Sequence, residues 1–587
     1  MRLRLIMIFL FFGITFVQAQ EASKINPVYR AEREKINDLV HTKLKVKFDF
    51  AKRQMMGEEW VTLTPHFYPT STLTLDAKAM LIHNITMDGK KLKYEYDEKL
   101  LKINLGTIYH KGEEYTIYIN YTARPEEVKQ EGSAAITDAK GLYFIDPDGT
   151  DPDKPTQIWT QGETESNSCW FPTIDSPNQK STEEIYITVP DKYTTLSNGL
   201  LKKQTKNSDG TRTDYWKLDQ KHAPYLFFMG IGEYSVVKDT WNNIPVNYYV
   251  EKEYEPYAQE IFGKTPKMIQ FFSDYTGLPY VWPKYSQMVA RDYVSGAMEN
   301  TTAVLHAENV YQVPGQLIDR NSWESTIAHE LFHHWFGDYV TTESWSNLTV
   351  NESFANYSEY LWLEHEYGRD EADAHRYIDL QGYFMGGNET KDLVRFYYNS
   401  KEDMFDAVSY NKGGAILHML RAYVGDDAFR KSLNTYLRDN AYGTGEAHQL
   451  RLAFEKVTGK DMNPFFNQWY FGAGNPKLEI TYNYSDTQKL VAVSIKQTQD
   501  HLFDFPLFID VYEGSTPKRY EVRVDKKDNS FSFKYNTKPK LIVIDPDHTL
   551  VAQIKDDKTV DNYIYQYAYA PRYDDRRQAI DELSKHQ

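Results

Sequence analysis

The chain has 587 residues, enough for three or four domains of ordinary size. Hydrophobic residues make up 41% of it and aromatic residues 15%, which allows several large cores and argues against global disorder. The formal net charge of −16 argues against nucleic acid and anionic lipid as partners, because both require basic surface patches. Cys169 is the one cysteine, so the chain has no internal disulfide and its stability must come from its cores or from a bound metal.

The N-terminus has the pattern of a secretory signal peptide. Arg2 and Arg4 form a basic start, and residues 5–17 form an apolar run that is short for a transmembrane helix. Ala19 ends a small-residue cleavage site, so we expect residues 1–19 to be removed rather than kept as a membrane anchor. The pattern predicts an exported protein, periplasmic or extracellular, with no integral membrane segment after removal of the signal.

The rest of the chain predicts a multidomain α+β protein. Strand-like alternation across residues 20–235 predicts a large N-terminal β domain, and longer helical patterns across 236–475 predict a mainly helical domain. Alternation returns at 476–555, where about six strands suit a small β-sandwich. Residues 556–587 predict one amphipathic helix.

The stretch STIAHELFHHWFGD at 325–338 contains the pattern H-E-x-x-H. His329 and His333 stand four positions apart, which places both imidazoles on one face of a helix, about 6 Å apart along its axis. Two imidazoles so placed can bind one zinc ion, and Glu330 can act as general base on a zinc-bound water. His334 points about 100° away around the helix and is predicted to be a bystander or a supporting group.

A catalytic zinc site needs a third protein ligand and an open fourth position. The arrangement that adds a third histidine shortly after the motif fails here, because that position is Tyr339. Glu352, 19 residues after His333 and near the start of the next predicted helix, is the favoured third ligand. Its rivals are Glu343 in the intervening loop and three later glutamates predicted to be surface charges, Glu359, Glu364 and Glu366.

With H-E-x-x-H, 18 intervening residues and then a glutamate, the chain resembles the gluzincin aminopeptidases of family M1. Residues 296–300 read GAMEN, a second motif of that family, upstream of the zinc motif. The resemblance covers the chain from residue 40 to residue 555. It implies a saddle-like N-terminal β domain, a thermolysin-like catalytic domain and a small β-sandwich, with one zinc ion per chain and peptides with a free N-terminus as substrates.

The resemblance also implies which residues bind the substrate. Glu299 would bind the free α-ammonium, since a buried carboxylate near the metal favours a cation and penalises an internal peptide bond. The backbone of Gly296 and Ala297 would line the substrate as an extended edge. In the segment TQGETESN, Glu163 would be a second ammonium ligand, with Gln161 two residues before it.

Hydrolysis also needs a hydrogen-bond donor opposite the metal for the developing oxyanion. The family uses a tyrosine in a Y-x-K-G segment, which corresponds here to Tyr410, 58 residues after Glu352. The resemblance therefore implies Glu330 and Tyr410 as the catalytic residues. The chain departs from the family around the third ligand, where it reads TVNESFA instead of WLNEGFA. Many members add a large helical domain, so residues 556–587 are either the start of such a domain or a natural end.

Three alternatives stand beside an exported zinc aminopeptidase that removes single N-terminal residues. A thermolysin-like endopeptidase would use the same zinc ligands, but Glu299 and Glu163 count against it. The epoxide hydrolase activity of one branch of the family is disfavoured by Glu163. A zinc-stabilised binding protein without activity is disfavoured by the intact Glu330 and Tyr410. The sequence predicts neither the preferred N-terminal residue nor the oligomeric state.

Overall fold

The computed structural model describes residues 28–586 except 31, 131 and 134. The predicted signal peptide at 1–19 therefore lies outside the described residues. Across the part of the chain that is described, no helix is both long and apolar enough to cross a membrane. The predicted fold class is confirmed, because strands, then mainly helices, then a β-sandwich and finally short helices follow one another along the chain.

The N-terminal part is built from strands in which buried and partly exposed residues alternate, as expected for sheets with one face on a core. Strands β1 to β16 are, in order, Val28–Tyr29, Asn37–Asp49, Gln54–Pro65, Thr70–Asp76, Met80–Met87, Lys90–Lys91, Lys93–Tyr96, Leu100–Tyr109, Tyr115–Ala123, Leu142–Ile145, Gln157–Thr160, Ser181–Pro190, Thr194–Ser197, Leu200–Lys206, Thr211–His222 and Met229–Gly232.

The largest of these sheets has the strand order β14-β15-β12-β2-β3-β9-β5-β6, with β2 parallel to β12 and antiparallel to β3. Two smaller sheets have the orders β4-β8-β7 and β10-β11-β16-β13. Their apolar side chains share one core, in which Leu44, Ile117 and Trp170 are fully buried. Strand β11 ends at Thr160, directly before Gln161 and Glu163.

The mainly helical part begins with strand β17 and combines a five-stranded sheet with helices. Strands β17 to β24 are Tyr234–Trp241, Ile244–Glu251, Tyr285–Ala290, Ala297–Met298, Ala303–Ala307, Thr341–Thr342, Tyr397–Tyr398 and Thr444–Gly445. Helices α1 to α9 are Ala258–Phe262, Thr265–Thr276, Glu324–Phe332, Thr349–Tyr367, Arg369–Met385, Gly413–Val424, Asp426–Asp439, Ala447–Thr458 and Asn463–Trp469. The sheet has the order β17-β18-β19-β21-β20, so β20 lies at its edge.

The β-sandwich follows, with strands β25 to β31 at Lys477–Ser485, Leu490–Gln497, Phe505–Tyr512, Lys518–Val524, Asp528–Lys534, Leu541–Ile544 and Gln553–Asp556. Its two sheets have the orders β29-β26-β25-β31 and β28-β27-β30. A continuous apolar core joins the sandwich to the helical part, because Trp469 of α9 packs on Phe503 with ring centroids 5.2 Å apart. The helices that carry the candidate site therefore share one apolar core with the sandwich.

The C-terminal segment contains two helices, whereas the sequence predicts one. They are α10, Val560–Tyr569, and α11, Tyr573–Leu583. Pro571 explains the break, because proline lacks the amide hydrogen a helix needs and pushes the residue before it, Ala570, out of helical geometry.

Candidate functional site

Both histidines of the H-E-x-x-H motif and Glu352 converge between α3 and α4. His333 follows the last residue of α3 but keeps helical dihedral angles (φ −54°, ψ −27°), so it shares a helix face with His329. Glu352 lies in the first turn of α4. Its Oε2 atom lies 3.4 Å from the Nε2 atom of His329 and 3.5 Å from the Nε2 atom of His333.

These three donor atoms fit a zinc ion. Ligand atoms of a tetrahedral zinc site stand about 3.3 Å apart, because each lies about 2.0–2.1 Å from the ion. The Glu352 Oε2 atom is buried and has no hydrogen-bond partner among the described residues. A buried unpaired carboxylate oxygen is costly, and a dication placed between the three donors would remove that cost.

Each imidazole is held in place through its other nitrogen. The Nδ1 atom of His329 lies 2.9 Å from a carboxylate oxygen of Glu359, and the Nδ1 atom of His333 lies 3.0 Å from the carbonyl oxygen of Phe336. Both partners are acceptors, so each Nδ1 can donate its hydrogen to them, and each neutral ring then has the lone pair of Nε2 available for a metal ion. This is the tautomer that metal binding requires.

The prediction that Glu359 is a surface charge is wrong. Its side chain is 13% exposed, and it lies between His329 and His375, whose Nε2 atom is 3.1 Å from the second carboxylate oxygen. Burial opposes ionisation, but the close contacts with both histidines lower the pKa of Glu359 to about 2. Glu359 therefore stays anionic behind the ring of His329, where a carboxylate raises the basicity of a metal-binding imidazole.

The other three rivals of Glu352 are engaged in contacts elsewhere in the described structure. These contacts are Glu343 with Asn178 at 3.2 Å, Glu364 with Arg421 at 2.7 Å, and Glu366 with Lys264 at 3.4 Å.

Glu330 and Glu299 lie beside the donor set. Their carboxylate oxygens and a ring nitrogen of His333 all lie within 4.8 Å of one another. Burial raises the pKa of Glu330 to about 8, and the nearby His329 and His333 act in the opposite direction. A carboxyl group with its pKa near neutrality can both take up and return a proton.

His334 has a supporting contact that the sequence does not predict. Its Nε2 atom accepts a hydrogen bond of 2.9 Å from the backbone amide of Thr302, and burial lowers its pKa to about 3, so the ring is neutral. Thr302 lies in the turn between β20 and β21, two residues after the end of the GAMEN segment. His334 therefore links α3 to the segment that carries Glu299.

Two buried carboxylates, Glu163 and Glu299, lie close enough to affect each other's ionisation. Their exposed fractions are 6% and 2%. Burial raises the pKa of Glu163 well above its usual range, and the charge of Glu299 adds to that effect. Burial also raises the pKa of Glu299, against the opposing charge of His333. The Oε1 atom of Glu163 has no hydrogen-bond partner within the described residues, so this pair is suited to bind a cation.

The side chain of Gln161 is engaged next to this pair. Its amide nitrogen lies 3.3 Å from the sulfur of Met298, and its amide oxygen accepts a hydrogen bond from the hydroxyl of Tyr293. The structure thus places Gln161 against the residues that flank and belong to the GAMEN segment. Its contact with Tyr293 has no sequence signal.

Glu163 belongs to the N-terminal part, and contacts of its neighbour Glu165 fix it against the helical part. The two carboxylate oxygens of Glu165 accept hydrogen bonds from the Trp345 indole at 2.9 Å and from the Lys401 ammonium at 2.6 Å. No motif in the sequence indicated these contacts. They hold the loop that carries Glu163 over the site.

Strand β20 forms one wall of the site with an open edge. Ala297 and Met298 pair with His306 and Leu305 of β21, and β20 is the last strand in its sheet. A Cβ atom built on Gly296 would meet nothing within 4 Å, so the space beside this backbone is open. An extended peptide could add to this edge as a further strand.

Tyr410 lies in a π-helical turn, Val408–Lys412, that leads into α6. Its ring is nearly parallel to that of His329, with an interplanar angle of 12° and centroids 6.1 Å apart. Burial raises the pKa of Tyr410 well above its usual range, so its hydroxyl stays protonated and can donate a hydrogen bond. The structure thus places Tyr410 beside a metal donor.

Comparison with known proteins identifies the family. The family model described as the peptidase M1 N-terminal domain matches residues 38–226, and the one described as the peptidase family M1 domain matches residues 260–469. The first match contains Glu163, and the second contains the donor residues and the GAMEN segment. The chain belongs to peptidase family M1.

Curated relatives of this M1 chain include two archaeal proteins. Tricorn protease-interacting factor F2 of Thermoplasma acidophilum is 26% identical over 449 residues, which cover 75% of this chain and 54% of that protein. Probable aminopeptidase 1 of Saccharolobus solfataricus is 25% identical over 567 residues, which cover 90% of this chain and 69% of that protein.

A solved structure described as Legionella pneumophila aminopeptidase A in complex with aspartic acid has the same fold. Its TM-score is 0.81 at 19% identity, and the match covers 95% of this chain and 64% of that chain. The M1 chain thus spans about half to two-thirds of the length of these relatives.

Proposed function

We propose that this protein is a zinc-dependent aminopeptidase that removes single N-terminal residues from peptides. The observation that carries the proposal is the position of two buried carboxylates, Glu163 and Glu299, next to the donor set of His329, His333 and Glu352. The donor set alone would suit many metallohydrolases. The carboxylate pair adds a requirement for a cation one residue's length from the metal, which a free peptide N-terminus meets.

The chemistry divides among residues of this chain. A bound zinc ion would polarise the first peptide carbonyl and acidify the attacking water. Glu330 accepts a proton from that water and returns it to the departing amine, so the peptide bond and one water become an amino acid and a shortened peptide. Tyr410 donates a hydrogen bond to the oxygen on which negative charge develops.

Binding of the substrate depends on different groups. Glu299 and Glu163 hold the α-ammonium, and the open edge of β20 pairs with the extended backbone that follows. A substrate with an acylated N-terminus brings no cation, so both carboxylates would remain buried and unpaired. This cost excludes internal peptide bonds and separates an aminopeptidase from a thermolysin-like endopeptidase.

The proposal includes export to the periplasm or the exterior. It is supported by the basic start, the apolar run and the cleavage pattern within residues 1–19. Peptides with a free N-terminus are the proposed partners, and the net charge of −16 argues against nucleic acid.

The test is a panel of aminoacyl anilides assayed with purified protein, with and without a chelator, alongside Glu330→Gln. We expect hydrolysis that the chelator removes, that zinc restores and that Glu330→Gln lowers by several orders of magnitude. A matched peptide pair, one with a free and one with an acetylated N-terminus, should show cleavage of the free form alone. Cleavage of both would favour the endopeptidase, and equal inactivity of wild type and Glu330→Gln would favour a binding protein.

A further inference from the structure

A side-chain hydrogen bond links the helix of the third metal donor to the turn that carries Tyr410. Ser353 directly follows Glu352 on α4, and its hydroxyl donates to the carbonyl oxygen of Ser409 at 2.6 Å. Ser353 is 1% exposed and Ser409 is fully buried, so water does not compete for this bond. Ser409 is the residue directly before Tyr410.

The π-helical turn withdraws from the Ser409 carbonyl the donor that an α-helix would give it. In an α-helix that carbonyl would accept from the amide four residues later, which is the amide of Gly413. Here the Gly413 amide donates to the carbonyls of Val408 and Tyr410 instead. The hydroxyl of Ser353 therefore gives this buried carbonyl a donor in place of the Gly413 amide.

The close approach of the two helices depends on glycine. A Cβ atom on Gly413 would lie 1.8 Å from the Ser353 hydroxyl oxygen, and one on Gly414 would lie 2.2 Å from the side-chain oxygen of Asn356. Two residues without side chains thus let α6 and the π turn lie directly on α4. The register of Tyr410 relative to Glu352 is set across this contact.

We propose that Ser353 is a positioning residue that holds Tyr410 at its place opposite the metal donors. The hydroxyl of Ser353 does not reach the substrate but fixes the backbone of the turn from which the Tyr410 phenol projects. This role deepens the proposed aminopeptidase function and rests on it, since Tyr410 contributes to the rate through the developing oxyanion. Small displacements of such a donor cost rate rather than substrate affinity.

The kinetic test compares Ser353→Ala with wild type. We expect kcat to fall about tenfold while KM and zinc affinity stay within about twofold. In a Tyr410→Phe background the same substitution should change kcat by less than about twofold, because the group it positions is gone. Ser432→Ala is the matched control, since that serine is also fully buried but its hydroxyl donates within its own helix, to Ala428 at 2.7 Å.

Two results would overturn the proposal. One is a loss of kcat that is equally large in the wild-type and Tyr410→Phe backgrounds, and the other is a loss explained by weaker zinc binding through the adjacent Glu352. Should Ser353→Ala fail to fold, Ser353→Cys, which keeps an atom in place but donates weakly, replaces it.

Hydrogen exchange measured by mass spectrometry separates this proposal from the aminopeptidase proposal. Peptides spanning 405–415 should exchange at least several-fold faster in Ser353→Ala, while peptides from 349–367 keep their wild-type rates. If wild type hydrolyses no substrate, the aminopeptidase proposal fails. The link between Ser353 and the Tyr410 turn is then judged by exchange alone: faster exchange at 405–415 in Ser353→Ala supports the link, and unchanged exchange overturns it.

Discussion

Replacing Gly413 with alanine tests the packing that brings the Tyr410 turn onto α4. The added Cβ atom would lie 1.8 Å from the hydroxyl oxygen and 2.6 Å from the Cβ atom of Ser353, and 3.3 Å from a methyl group of Leu393. The first two distances are far below van der Waals contact. The helices must separate, or Ser353 must rotate and release its hydrogen bond to Ser409.

The expected cost combines three contributions. Overpacking of a well-filled interior costs about 1–3 kcal/mol, and loss of a buried hydrogen bond adds about 1 kcal/mol. Alanine has a higher helix propensity than glycine, which returns about 1 kcal/mol. The net loss of stability is about 2 kcal/mol. An unfolding entropy of about 2.1 cal/mol/K per residue gives about 2 °C for each kcal/mol in a helical part of about 240 residues, so the melting temperature of that part should fall by roughly 4 °C.

The assay is thermal unfolding of the full chain, with two further variants as controls. Gly382→Ala lies inside α5 with nothing within 4 Å of the added Cβ atom, so it should raise stability by up to about 1 kcal/mol. In a Ser353→Gly background, both clashing atoms are absent and Gly413→Ala should cost nothing. Equal destabilisation by Gly413→Ala in the wild-type and Ser353→Gly backgrounds would refute the reasoning.

Three further predictions concern the metal, the amine and the pH. Glu359→Gln should weaken zinc binding about 10–100-fold in a chelator competition, because it removes the charge behind a metal-binding histidine. Glu364→Gln on the same helix should bind zinc as wild type does, and equal zinc affinities of the two variants would contradict the role of Glu359. Glu299→Gln should lower kcat/KM for substrates with a free amine by a factor equivalent to about 2–5 kcal/mol. The ratio of kcat/KM between free and N-acetylated substrates should therefore become smaller, and an unchanged ratio would count against Glu299 as an ammonium ligand. Burial lowers the pKa of His375, but the hydrogen bond to Glu359 outweighs burial and raises it to about 9. Because the folded pKa is the higher one, the stabilisation, on the order of 3 kcal/mol, is complete below about pH 6.5 and is lost as the pH rises through 9. Urea midpoints should therefore fall more steeply between pH 6.5 and 9.5 in wild type than in His375→Gln, and parallel curves would exclude this contribution.

The metal donors could be predicted because their geometry is largely local. Four residues are one helical turn, so the spacing of His329 and His333 alone places both rings together. Glu352 required only a chain reversal between two helices. Glu359 could have been found by the same rule, because it stands seven positions after Glu352, which is two turns along the same face of α4.

Other parts of the site depend on contacts that no local pattern shows. Glu163 lies far from Glu299 in the chain, and only the family resemblance paired them, since their approach depends on how the N-terminal sheets meet the helical part. The 100° offset of His334 predicted that it lies off the metal face, but its partner, the amide of Thr302, comes from the distant turn between β20 and β21. The π turn before α6 has no sequence signal beyond the two glycines that follow Lys412.

Under the proposed function, the open edge of β20 sets a condition on the backbone shape of a peptide substrate. A strand edge offers backbone donors and acceptors at intervals that only an extended chain can match. A peptide whose first turn is helical already uses the same amides and carbonyls within itself, so it must unwind before it can bind. If the proposed aminopeptidase function holds, then among peptides with the same first residue those with disordered beginnings would be hydrolysed fastest, and a stable N-terminal helix would protect a protein from hydrolysis.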